Sequence, residues 1–90
     1  MEKEKTLPIK DTDELQSEVK HLVLFNDDFN TFDFVVETLI DVCEHDPDQA
    51  EQCTMIVHYK GKCTVKSGPM FKLKPIYKEM TNRTLTVEIK

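Results

Sequence analysis

Residues 22–32 read LVLFNDDFNTF, and four consecutive apolar residues, Leu22 to Phe25, run straight into Asn26-Asp27-Asp28. An apolar run of that length, closed by turn-forming residues, reads as a buried or half-buried strand. The Asn-Asp-Asp triplet is then its exit turn. Helix signals follow at once. Asn30 is placed to cap, with Asp33 three residues on in the manner of a capping box with a shorter acid. Phe32, Val35, Val36, Leu39 and Cys43 then recur at helical spacing.

Working outward, His45-Asp46-Pro47 breaks that helix and starts another. Asp46 is the expected N-cap, Pro47 suits the first helical position, and Gln49 stands three residues after the cap. This second helix runs through Ala50, Cys53, Met55, Ile56 and Val57 and should stop at Gly61. Lys62 to Lys66 alternates as a short strand, and Ser67-Gly68-Pro69 reads as a turn. Met70 to Arg83 is a third helix that Pro75 must start or kink. In the terminal TLTVEIK, Leu85, Val87 and Ile89 face one way and the polar residues the other, which is a strand. The expected fold class is α+β: a small three-stranded antiparallel sheet with three helices, in the order β-α-α-β-α-β, the helices covering the sheet's apolar face. Residues 1–18, with three Lys against six Asp and Glu and scattered apolar positions, are expected to be a disordered tail before a domain spanning residues 19–90.

Bulk properties narrow the function. Seventeen acids against twelve bases give a net charge of −5, opposite to the basic footprint that nucleic acid needs. No apolar run approaches the roughly 18 residues that span a membrane. MEKEKTLPIK lacks the apolar stretch of a secretory signal, so a cytoplasmic protein is expected. Cys43, Cys53 and Cys63 are odd in number, without CxxC spacing, and fall on apolar faces; with His45 and His58 they match no zinc pattern. They read as core, with no metal and no cofactor. Two glycines leave no phosphate-binding loop, and nothing places a base beside a nucleophile, so an enzyme is not expected.

The chemistry that stands out pairs Asn26, Asp27 and Asp28 with His58. Taken separately, the first three are ordinary turn residues, and a histidine in a helix's last turn is an ordinary terminus residue. Together they offer an amide oxygen, carboxylates and an imidazole nitrogen, which suit the three N–H donors of an ammonium group. With Phe32, Val35, Thr54 and Val57 as apolar walls beside it, the combination fits a free protein N-terminus bearing a large first side chain. Binding should weaken as the His58 imidazole takes a proton, since it then loses its acceptor and repels the ligand.

Asn26-Asp27-Asp28 after an apolar strand, Phe34-Val35-Val36, the acid-initiated second helix with Ala50, and Val57-His58-Tyr59 with Gly61-Lys62 resemble the ClpS family of adaptor proteins, over residues 22–62. The resemblance implies a non-catalytic adaptor that binds proteins whose first residue is Leu, Phe, Tyr or Trp and delivers them to a Clp-family AAA+ unfoldase and its protease. It implies that Asn26, Asp28 and His58 hold the α-amino group, with Asp27 in the same turn. It implies a pocket walled by Phe32, Val35, Thr54, Val57, Asn30 and Leu85. Phe32 and Thr54 stand where the family commonly has Met: Phe32 would either guard the pocket against β-branched side chains, as that Met is regarded as doing, or narrow it, and Thr54 would make the other wall smaller and more polar. The tail would then serve delivery. An alternative is a domain of the same fold that docks on an unfoldase without reading N-termini.

Overall fold

The structure is a computed structural model and describes residues 18–90. The tail expectation falls, but for Glu18, outside the described residues. Six elements follow in order: β1 (Val19–Phe25), α1 (Phe32–Cys43), α2 (Pro47–Lys60), β2 (Lys62–Pro69), α3 (Met70–Asn82) and β3 (Thr86–Ile89). The sheet order is β2-β1-β3 with both pairings antiparallel, so the expected fold class holds.

The apolar run that opens the sequence reading is the central strand. A central strand has no free edge, and Leu22, Val23 and Leu24 are all buried. Leu22 and Leu24 enter the core under the helices with Val65, Val87 and Leu85, joined by Leu39 and Cys43 of α1, Ala50 and Val57 of α2, and Leu73 and Met80 of α3. The β1–β2 register slips between Leu22 and Val23, where Val65 is passed over. Such a bulge bends the strand locally, and Val65 is turned into the core.

Local chemistry accounts for α2. Asp46 Oδ1 accepts from the Gln49 N–H at 2.8 Å, Pro47 occupies the first turn, and Gly61 closes the helix with φ 94°. That left-handed backbone favours glycine. The connection before it is pinned by His45, a buried ring whose Nε2 lies 2.6 Å from the Val65 carbonyl. A carbonyl only accepts, so Nε2 carries the proton.

Two expectations are corrected. Thr31, not Asn30, caps α1: its Oγ1 accepts from the Phe34 N–H at 3.1 Å. The Asn30 side chain is engaged elsewhere, with Asp27 and Thr84. Ser67-Gly68-Pro69 is not a turn but the end of β2, paired with His21, Lys20 and Val19. Pro69 has no N–H to donate, and β2 is an edge strand, where proline is tolerated. At φ −70° it serves both as the last strand residue and as the cap position of α3, so no loop intervenes. The third helix begins at Met70 as expected, and of the two places open to Pro75 the structure gives the internal one. It deprives the Phe71 carbonyl of its helical partner on an exposed side of the helix, where water can replace it.

Candidate functional site

The β1–α1 loop and the end of α2 meet over one hollow. The Asn26 backbone N–H donates to the Gly61 carbonyl at 2.9 Å. That bond ties the first residue of the loop to the residue that ends α2, and His58 lies in that last turn. The hollow has a volume of about 370 Å³. The loop contributes Asn26, Asp27, Asp28 and Asn30; α1 contributes Phe32 and Val35; α2 contributes Thr54, Val57 and His58. Nine of the ten residues singled out in the sequence are thus brought together. Leu85 is the exception. Its side chain belongs to the core and lines a small adjoining cleft of about 20 Å³ that shares Asn26, Asp27, Asn30, Val35 and Val57 with the main hollow.

The two adjacent acids differ. Asp27 organises the loop: its Oδ1 accepts from the backbone N–H of Phe29 and of Asn30, and its Oδ2 from Asn30 Nδ2, each at 2.8 Å. Partial burial pushes the Asp27 carboxyl up, but the bonds from the Asn30 backbone, the Asn30 side chain and the Phe29 backbone outweigh it, and its pKa falls below the ordinary 3.8. Asp28 is exposed, and no side-chain hydrogen bond or ion pair among the described residues engages it. The same holds for the side chains of Asn26 and His58; the Tyr59 ring stands edge-on to the His58 ring at 5.1 Å between centroids. Among the described residues, the side chains of Asn26, Asp28 and His58 are thus left with their acceptors unengaged, as is Asn30 Oδ1. The α2 C-terminus adds a partial negative charge, which favours a cation there.

The walls are apolar. Val35 and Val57 are buried, and Phe32 is half-exposed beside the opening. The Thr54 hydroxyl donates its one proton to the Ala50 carbonyl at 2.7 Å, so towards a ligand it has no donor left and keeps only acceptor capacity beside its methyl. Phe29, 91% exposed, does not line the hollow.

The cysteines behave as core residues. Cys43 is buried, and Cys53 and Cys63 pack partly against the same cluster. Burial pushes the Cys43 thiol up to about 11 against the opposing pull of Lys66. Burial, with Cys63 and Cys43 nearby, pushes the Cys53 thiol to about 12. Among the described residues no three His, Cys, Asp or Glu side chains converge as a metal site, and no helix is long and apolar enough to cross a membrane.

One contact had no signal in the sequence. Asn30 Nδ2 also donates to the Thr84 carbonyl, 3.0 Å away and 54 residues along the chain. A tie to a main-chain oxygen leaves no trace in residue type.

Comparison with known proteins adds the following. A family model described as ATP-dependent Clp protease adaptor protein ClpS matches residues 16–86. The ATP-dependent Clp protease adapter protein ClpS of Acetivibrio thermocellus is 41% identical over 64 residues, covering 69% of this chain and 65% of the relative. That of Nitratidesulfovibrio vulgaris is 38% identical over 55 residues, covering 59% of this chain and 55% of the relative. The chain thus spans between half and two thirds of the length of these relatives. Among solved structures, Agrobacterium tumefaciens ClpS2 bound to L-phenylalaninamide superposes with a TM-score of 0.76 at 21% identity, over 83% of this chain and 96% of that one. At that identity the likeness speaks for the fold.

Proposed function

This chain belongs to the ClpS family of Clp protease adaptors, and from that premise we propose that it binds substrate proteins through a free N-terminal amine and a bulky hydrophobic first residue and delivers them to a Clp-family AAA+ unfoldase in the cytoplasm. It does so without catalysis. The carrying observation is the set of unengaged acceptors, Asn26, Asp28 and His58, at the mouth of an apolar-walled hollow. A protein N-terminus is the ligand whose two halves match the two halves of that site.

Three N–H donors need three acceptors, and an amide oxygen, a carboxylate and a neutral imidazole nitrogen supply one each. Phe32, Val35, Thr54 and Val57 receive the first side chain, whose burial contributes roughly 1.5–3 kcal/mol. Acetylating the amine removes the charge and two of the donors. The acceptors are then left facing an amide, at a cost of about 1–3 kcal/mol for each buried partner unsatisfied. L-Phenylalaninamide, the molecule bound to A. tumefaciens ClpS2, carries a free α-amine and a benzyl group and so has the same two halves.

The test is binding of short labelled peptides beginning Phe, Leu, Ile and acetyl-Phe. Phe and Leu should bind, Ile should bind less well because its β-branch crowds the entrance at Phe32, and acetyl-Phe should not bind. Equal binding of Phe and acetyl-Phe refutes the reading and leaves a domain that docks on an unfoldase without reading N-termini. Delivery is assayed separately with a chain lacking residues 1–18: peptide binding should survive, and substrate degradation by the unfoldase and its protease should be lost.

A further inference from the structure

The position of Asp28 has to be explained, because its own side chain is anchored by no hydrogen bond or ion pair among the described residues. Its carboxylate goes where the backbone from Asp27 to Asn30 puts it. That backbone is shaped by Asp27, whose carboxylate gathers the Phe29 and Asn30 N–H groups. These bonds span two and three residues. They give the loop its form but do not say where the loop sits against α2, since a loop closed on itself can swing as a unit.

Besides the Thr31 cap that joins the loop to α1, two bonds among the described residues tie it to other elements. At its start, the Asn26 N–H donates to Gly61. At its far side, Asn30 Nδ2 donates both to Asp27 Oδ2 at 2.8 Å and to the Thr84 carbonyl at 3.0 Å. A primary amide has two N–H donors, and both are engaged here. The nitrogen cannot be exchanged with the oxygen in this assignment, because a carboxylate and a carbonyl both only accept. Thr84 has φ 65°, a left-handed backbone in the turn between α3 and β3, which is where this chain presents the carbonyl that Asn30 reaches.

We propose that Asn30 is the positioning residue of the amine site: by bridging the Asp27 carboxylate and the Thr84 carbonyl, it locks the loop onto the entrance of β3 and so fixes Asp28 opposite His58. The inference rests on the amine-binding reading above and deepens it. Few side chains can take this role. A serine or threonine has one hydroxyl proton and cannot serve both acceptors. An aspartate would set a second carboxylate against Asp27. Asn30 also lines the hollow, but the helices supply most of the wall that meets the first side chain, so its loss should harm recognition of the amine more than recognition of the first side chain.

The experiment compares the unaltered chain with Asn30→Ala and Thr84→Gly. The glycine keeps the carbonyl and accepts the left-handed backbone, so Thr84→Gly should bind as the unaltered chain does. Asn30→Ala should weaken binding of a Phe-initiated peptide roughly 5- to 30-fold, the scale of one misplaced charge-assisted contact. Its preference for Phe over acetyl-Phe should shrink by the same factor. Its preference for Phe over a peptide beginning with Ala should fall by less than its preference for Phe over acetyl-Phe, and its melting temperature should fall by no more than that of Asp27→Ala, which loses three loop bonds against the two lost here. Retention of the amine preference by Asn30→Ala overturns this inference alone. Equal loss of both preferences makes Asn30 a general stabiliser and overturns it too. If the unaltered chain itself fails to distinguish Phe from acetyl-Phe, the amine-binding reading falls and takes this inference with it.

Discussion

Asp28→Ala and Asp27→Ala are neighbouring substitutions for which the structure expects opposite signatures. Asp28 is exposed and makes no internal bond among the described residues, so its removal should leave stability within about 0.5 kcal/mol, as for other surface changes. If it accepts from an ammonium, removal should cost binding about 1.5–3 kcal/mol, the range for hydrogen bonds to charged groups, or roughly 10- to 150-fold in Kd. Its exposure argues for the lower half of that range, since water competes for the same contact. Asp27 gathers three N–H donors at 2.8 Å. Losing it resembles losing a helix cap, about 0.5–2 kcal/mol, because water can reach the freed donors. In a domain of this size each kcal/mol shifts the melting temperature by roughly 4–8 °C. Asp27→Ala should therefore melt several degrees lower and bind worse, because the loop that aims Asp28 loosens. The assays are fluorescence anisotropy with a Phe-initiated peptide and thermal unfolding by circular dichroism. Refutation is an Asp28→Ala protein that binds within about twofold of the unaltered chain, or one whose loss of binding is matched by an equal loss of melting temperature.

Three further outcomes are expected. Thr54→Met fills the α2 wall of the hollow and should lower affinity for Trp- and Phe-initiated peptides relative to Leu-initiated ones, with overpacking worth about 1–3 kcal/mol; an unchanged order of affinities in a peptide panel would place the first side chain elsewhere. Leu39→Ala, at a fully buried position in α1, should cost about 2–5 kcal/mol, read as a lower urea midpoint with little change in slope. In acid, the depressed pKa of Asp27 means that its carboxylate favours the folded state. That contribution is complete above the ordinary 3.8 and is lost as the pH falls through the lower folded value. The stability gap between the unaltered chain and Asp27→Asn should therefore close on the acid side of 3.8, and a gap that persists in strong acid would argue against the assignment.

Much of the fold was legible because its signals are local. Asp46-Pro47 with Gln49, and Gly61 at the far end, specify α2 through bonds spanning a few residues. The alternation of Leu85, Val87 and Ile89 identifies β3 in the same way. The failures are non-local. Asn30 is a good cap in isolation, but Asp27 and a carbonyl 54 residues away compete for its side chain, and Thr31 takes the cap instead. Ser67-Gly68-Pro69 has turn chemistry, but the start of β1 offers it three ladder partners, and pairing overrides propensity. The site followed the same division. The residue types lining the hollow were readable from Asn26, Asp28 and His58. The ranking of Asp28 above Asp27 came only through the family resemblance, because residue type alone does not say which carboxylate the loop closes around.

The two halves of the site rest on supports of different stiffness, and this bears on what can be altered independently. Val57 and Thr54 are part of the packed face of α2, and a shift there would have to move Ala50 and the core with it. The loop from Asn26 to Thr31 carries mostly exposed or half-exposed residues and is held by a few bonds. Segments of that kind open at lower free energy than the core they join. On the proposed reading, the first side chain would meet a surface that persists whenever the domain is folded, whereas the amine would meet one that also requires the loop to be closed. Substitutions at Thr54 or Phe32 should change which residues are preferred while leaving dependence on the free amine intact. Substitutions at Asp27 or Asn30 should do mainly the reverse. A pair drawn from the two groups should be additive in binding free energy to within about 0.5 kcal/mol, the tolerance for independent sites. Strong coupling between Thr54→Met and Asn30→Ala would show that the hollow and the loop move as one body, and the separation argued here would fail.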